Sequence, residues 1–81
     1  MIRVRLREVM RACSERTGRR MTYEVLSAQT GIAVATLQSI GSRPGYNATL
    51  SMIEKICLAC GCTPGDLLEL DVALSDAASR A

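Results

Sequence analysis

An all-α domain of five short helices is the fold class that the 81 residues predict, and three observations predict it. Apolar residues recur at helical spacing in five segments. Each segment is bounded by capping residues, by glycine, or by both. The stretch Thr22–Ile40, TYEVLSAQTGIAVATLQSI, reads as two short helices joined by a tight glycine turn, the layout of a helix-turn-helix.

The first element is ambiguous. From Met1 to Arg7 the chain alternates strictly, with Ile2, Val4 and Leu6 on one side and Arg3, Arg5 and Arg7 on the other. Period two signals a strand, so a short N-terminal β-arm precedes the first helix; in the other reading, helix one simply starts early. A strand this short must pair with something, either the C-terminal segment or the arm of a second copy. The stripe Leu6, Val9, Met10 and Cys13 then predicts helix one, ending near Thr17-Gly18.

Thr22 is the expected N-cap of helix two, and Gly31 its stop, since glycine takes the left-handed conformation without a Cβ clash. Val25, Leu26, Ile32, Leu37 and Ile40 are expected to meet in one small core, with the small Ser27 at the closest approach of the two helices. GSRPGYNAT must be a loop, because it combines Gly41, Pro44, Gly45 and Asn47 within nine residues. Thr49 caps a fourth helix with the stripe Leu50, Ile53, Ile56, Cys57 and Cys60 or Gly61, and Gly61 ends it. Thr63-Pro64-Gly65-Asp66 is a strong helix start, with a capping hydroxyl, proline at the first helical position and a carboxylate at the third. Leu67, Leu68 and Leu70 are expected to close the core, and the alternation Leu70, Val72, Leu74 suggests an extended piece that partners the arm.

Eighty-one residues with 48% hydrophobic content suffice for one domain with a modest core and leave no room for a second, ligand-sensing one. No small-molecule ligand is expected. There is no run of 18 apolar residues and no signal-peptide pattern, so the expectation is a cytoplasmic protein without a membrane partner. Histidine, tryptophan and phenylalanine are absent, which removes the commonest general base and most stacking platforms. No acid, base and nucleophile converge around Glu24, Glu54 or the cysteines, and enzymatic activity is not expected.

Net charge is only +2, but it is segregated. Residues 1–43 hold eight arginines against three glutamates, a net +5, whereas residues 44–81 hold Lys55 and Arg80 against five carboxylates, a net −3. A basic half that contains the helix-turn-helix suits phosphate binding by counterion release, and equally suits a merely solvated helical surface.

The motif with its flanks, including GSRPGYNATLSMIEKICLACGCTPGDLLEL, resembles the XRE family, the Cro and C1 repressor-like regulators, and specifically its small single-domain members. The resemblance covers Met1 to about Val72. It implies a lambda-repressor-like fold over residues 1–74, with the helix-turn-helix proper at 22–41 and a flexible tail at 75–81. The function it implies is sequence-specific binding of double-stranded DNA by a small transcriptional regulator, with the recognition helix, about residues 33–41, in the major groove.

On that helix Val34, Ala35, Thr36, Gln38 and Ser39 are the candidate groove residues. Gln38 can match the donor and acceptor of adenine, and Thr36, Val34 or Ala35 can meet a thymine methyl. By analogy with the family, Tyr23, Gln29, Arg43, Tyr46 and Asn47 reach phosphates, with Arg19 and Arg20 as further candidates. A single domain of this kind usually pairs, so a homodimer is expected, held by the arm or by helix five and the tail.

The chain departs from the family at Ala33, where members commonly carry a serine, and is bare of polar residues around Val34. The alternative function is therefore a protein-interaction module, antitoxin-like or a phage-type modulator, that keeps the fold with weak or no DNA binding. An exposed apolar Val34–Ala35 edge would serve such a contact. Cys57, Cys60 and Cys62 form a C-x2-C-x-C cluster, with Cys13 elsewhere. Two of these thiols fall on helix core faces, so all are expected to be small buried hydrophobes, with no metal or other cofactor.

Overall fold

A computed structural model describes residues 1–43 and 45–72; the expected tail 75–81, Leu74 and Pro44 lie outside the described residues. The elements run β1 (Ile2–Val4), α1 (Leu6–Thr17), α2 (Tyr23–Thr30), α3 (Val34–Ser42), α4 (Leu50–Cys60), α5 (Pro64–Leu67) and β2 (Leu68–Leu70). Five helices and a short N-terminal strand are thus present, and the early-starting helix one is not.

Strand β1 pairs antiparallel with β2 in the register Ile2↔Leu70, Arg3↔Glu69 and Val4↔Leu68. Its ends are tied by the Arg5 amide donating to the Leu67 carbonyl at 2.6 Å and by the Met1 ammonium donating to the Asp71 carbonyl at 3.0 Å. The arm's partner is therefore the C-terminal segment, but it begins at Leu68, two residues before the expected alternation. Helix α5 is a single turn, because Leu68 already adopts an extended conformation. That corrects one expectation: Leu67 is fully buried, whereas Leu70 is 64% exposed at the far end of the ribbon and closes no core.

Helix α1 buries Leu6, Val9, Met10 and Cys13 and stops at the left-handed Gly18. The loop after it is pinned back by Ser14, whose hydroxyl donates to the Met10 carbonyl and accepts from the Met21 amide at 2.7 Å. Helix α2 starts where the Thr22 hydroxyl accepts from the Val25 amide and ends at the left-handed Gly31. Thr30, buried at that end, donates to the Leu26 carbonyl and accepts from the Ile32 amide, so the tight turn carries its own satisfied polar group. Leu26, Ile32, Leu37 and Ile40 meet in the core as expected.

Val25 does not join them. It is 39% exposed and lines an open groove with Met21, Gln29 and Ala59. Leu50 departs too: it is 83% exposed instead of opening the α4 stripe, which consists of Ile53, Ile56, Cys57 and Cys60. At the first residue of α4, it lies about 70° round the helix from the centre of that stripe.

Beyond Cys60 the chain turns through Gly61, and the Cys62 amide donates back to the Cys57 carbonyl at 3.0 Å. This cap brings the side chains on either side of the turn together. The Cys62 thiol is pushed up to about 12 by burial and by its hydrogen bond with Cys57, and Cys60 to about 11 by burial and the neighbouring Cys13. Cys13, Cys57 and Cys60 are buried, Cys62 is half-buried and all four are free thiols.

Candidate nucleic-acid interface

Helices α2 and α3 pack on each other across the Gly31 turn, and α3 buries only Leu37 and Ile40. The remainder of α3 faces outward to differing degrees. Ala33, Ala35 and Gln38 are exposed, while Val34, Thr36 and Ser39 are half-buried. Gln38 stands mid-helix on the outer face, and the Ser42 hydroxyl donates to its carbonyl one turn later at 2.9 Å. At the other end, no side chain caps the first-turn amides of α3, because Ala33 has no oxygen to offer. These amides and the positive end of the helix dipole are left for an acceptor from outside.

The frame that holds α3 is built at Gly41. A Cβ at this position would collide with the Tyr23 hydroxyl and lie 3.4 Å from the Arg7 Cγ. The absent side chain thus lets the starts of α2 and α1 close onto the end of α3. Tyr23 is half-buried at that junction.

Around the junction run two open grooves that share Arg7 and Arg11. One also contains Arg3, Gly41 and Ser42, and the other Arg20, Thr22 and Tyr23. Arg7 and Arg11 sit one turn apart on the exposed side of α1. Sequence reasoning counts them in the charge of the basic half without naming them as site residues. The available signal is their i, i+4 spacing opposite the Leu6, Val9, Met10, Cys13 stripe.

The arginines divide by what they already touch. Arg3 lies 3.8 Å from Glu69 and 4.0 Å from Asp71, Arg5 lies 4.0 Å from Glu8, and Arg16 donates to the Cys60 carbonyl. Arg7, Arg11, Arg19, Arg20 and Arg43 form no ion pair among the described residues. Their charge is unspent.

The other named residues are not gathered at one place. Arg19 and Gln29 line a groove floored by Val25, Met21 and Ala59, on the side of α2 turned toward α4; Arg20 borders this groove as well as the one beside Tyr23. Arg43 follows α3, with its amide bonded to the Ser39 carbonyl, and its own carbonyl accepts from Tyr46 at 3.0 Å. Tyr46 packs partly against the core, whereas Asn47 is exposed. Among the described residues no group of three or more His, Cys, Asp or Glu could hold a metal ion, and no helix is long and apolar enough to cross a membrane.

Two helices at a tight turn, the second open along its outer face and bordered by unpaired arginines, define the helix-turn-helix class. The family of the Cro/C1-type HTH DNA-binding domain matches residues 5–72, and the chain belongs to it, among the XRE-type regulators. A curated relative is the Bacillus subtilis (strain 168) protein described as an uncharacterized HTH-type transcriptional regulator, YozG. It is 39% identical over 51 residues, 63% of this chain and 61% of that protein. The match thus spans about three-fifths of the relative's length. No solved structure matches.

Proposed function

We propose that the chain is a small transcriptional regulator that binds double-stranded DNA sequence-specifically, with α3 in the major groove, and that it acts as a homodimer. The observation that carries this reading is the open outer face of α3, with the unpaired Arg7 beside its end at Gly41 and the unpaired Arg43 directly after it. In this role Gln38 reads a base edge, and Val34, Ala35 and Thr36 offer methyl contacts, with Ser39 at the rim of the groove. Tyr23, Arg20, Arg43 and Asn47 hold phosphates, joined by Arg7 and Arg11. Gln29, Arg19 and Tyr46 serve as outer contacts. Without a serine at position 33, the bare amides of α3 take a phosphate directly.

The test is fluorescence-anisotropy binding to a selected duplex across a salt series. Gln38→Ala is expected to lower preference at one base pair by about 1–3 kcal/mol while leaving non-specific affinity nearly intact. Equal losses on all sequences would remove Gln38 from base reading.

A second reading, a protein-interaction module, is favoured by the small and apolar run Ala33, Val34 and Ala35 at the exposed start of α3. Binding of a protein partner that is indifferent to salt, with no retention on DNA at low salt, would select it.

A further inference from the structure

We propose that the outer face of α4 is a two-fold interface, where the chain pairs antiparallel with a second copy about an axis at Glu54; this rests on the dimeric reading above and says which surface makes the dimer. Leu50 and Leu58 are 83% and 77% exposed, more than any other large hydrophobic of the described residues. Both belong to α4, eight residues apart, with Glu54 midway. Residues i, i+4 and i+8 form one row along a helix surface, so the three side chains stand in line on a helix whose other face is fixed in the core by Ile53, Ile56, Cys57 and Cys60.

The row Leu50, Glu54, Leu58 reads the same in both directions. At 1.5 Å of rise per residue each leucine is about 6 Å along the axis from Glu54. A two-fold rotation through Glu54 therefore sets Leu50 of one copy against Leu58 of the other, twice. This is the self-complementarity that an isologous contact requires.

Charge fixes the pairing. Glu54 would face its own copy at the axis, but Lys55 stands beside it, and an antiparallel mate offers Lys55 to Glu54 and Glu54 to Lys55. Neither residue forms an ion pair within the chain among the described residues. Both are exposed.

The β-ribbon is a poorer fit to a second copy. Ile2 and Leu70 are exposed there too, but they already face each other across the ribbon, and the adjacent Arg3 is engaged by Glu69 and Asp71. No free charge remains to set an orientation.

Sedimentation equilibrium of the full chain without DNA, over a wide concentration range, tests the interface. The chain is expected to dimerise, and Leu58→Glu to raise the dimer dissociation constant at least tenfold, with a thermal melt that matches the parent's at concentrations where both are monomeric, since the side chain is exposed within one copy. Glu54→Lys alone should weaken pairing, and adding Lys55→Glu to it should restore pairing. A chain that stays monomeric throughout overturns this interface and the dimeric reading together. A dimer that ignores Leu58→Glu and Glu54→Lys but is lost on Leu70→Asp overturns the α4 interface and leaves the dimeric reading standing.

Discussion

Gly41 shows how one missing side chain places the site. The space a Cβ would need is taken by the Tyr23 hydroxyl, with Arg7 beside it, so glycine at this position lets both side chains seat against α3. Gly41→Ala is expected to cost about 1–3 kcal/mol through overpacking, read as a drop in thermal midpoint of several degrees. Combining it with Tyr23→Phe, which deletes the colliding oxygen, should recover part of that loss; no recovery would place the strain elsewhere. In the sequence Gly41 is one more loop glycine, because close approach between distant elements leaves no local signal. The caps are different. Thr22, Thr49 and Thr63 each accept the amide three residues on, as their spacing requires, because capping is chemistry within one turn.

At the scale of elements, helix existence is legible and helix faces only partly so. The stripes of α1 and α4 can be read from period, but Val25 and Leu50 fit an inward pattern and point outward. A window of eight to eleven residues leaves a boundary residue free to fall on either side until its packing partner is known. The β-ribbon is legible from alternation at both ends of the domain, though its register is not, since pairing is set by where α5 stops.

Helix α5 survives as one turn because its capping box is complete. The Thr63 amide and hydroxyl both donate to the Asp66 carboxylate, at 3.1 and 3.0 Å. These bonds hold the Asp66 carboxyl below its ordinary range. A lowered folded-state value means that the carboxylate stabilises the fold above the unfolded pKa, and that this contribution is lost as pH falls through the folded one. Asp66→Asn should therefore melt earlier than the parent at neutral pH, and the two melts should converge under acid conditions below about pH 4. A constant difference across that range would mean that the carboxylate charge is not what the cap uses.

The exposed face of α1 is the element that sequence reasoning leaves out of the site. If Arg7 and Arg11 hold phosphates, replacing both by alanine should flatten the dependence of log affinity on log salt by about 0.9 for each phosphate no longer neutralised. Sequence preference should stay the same, because phosphate contacts carry no base information. An unchanged slope would return both arginines to the role of solvated surface.

Across the whole molecule, charge and open surface are divided between the two halves of the chain. The basic half carries α1, α2 and α3 and keeps five arginines unpaired among the described residues, while the acidic half carries α4, whose outer row suits a second copy. The fold class and the family are readable from the helix-turn-helix and its flanks. What sequence cannot order is which of the named residues share a surface: the structure gathers Tyr23 and Arg20 with Arg7 and Arg11 beside the end of α3, and puts Gln29 and Arg19 in the groove toward α4.

Sequence-specific recognition by α3 is the central claim, and selection of bound sequences from a random duplex pool, at low and moderate salt, tests it most directly. Enrichment of a two-fold symmetric motif that persists at moderate salt and loses definition at one position with Gln38→Ala is the predicted result. Weak retention with no enriched motif, abolished by added salt, would contradict it.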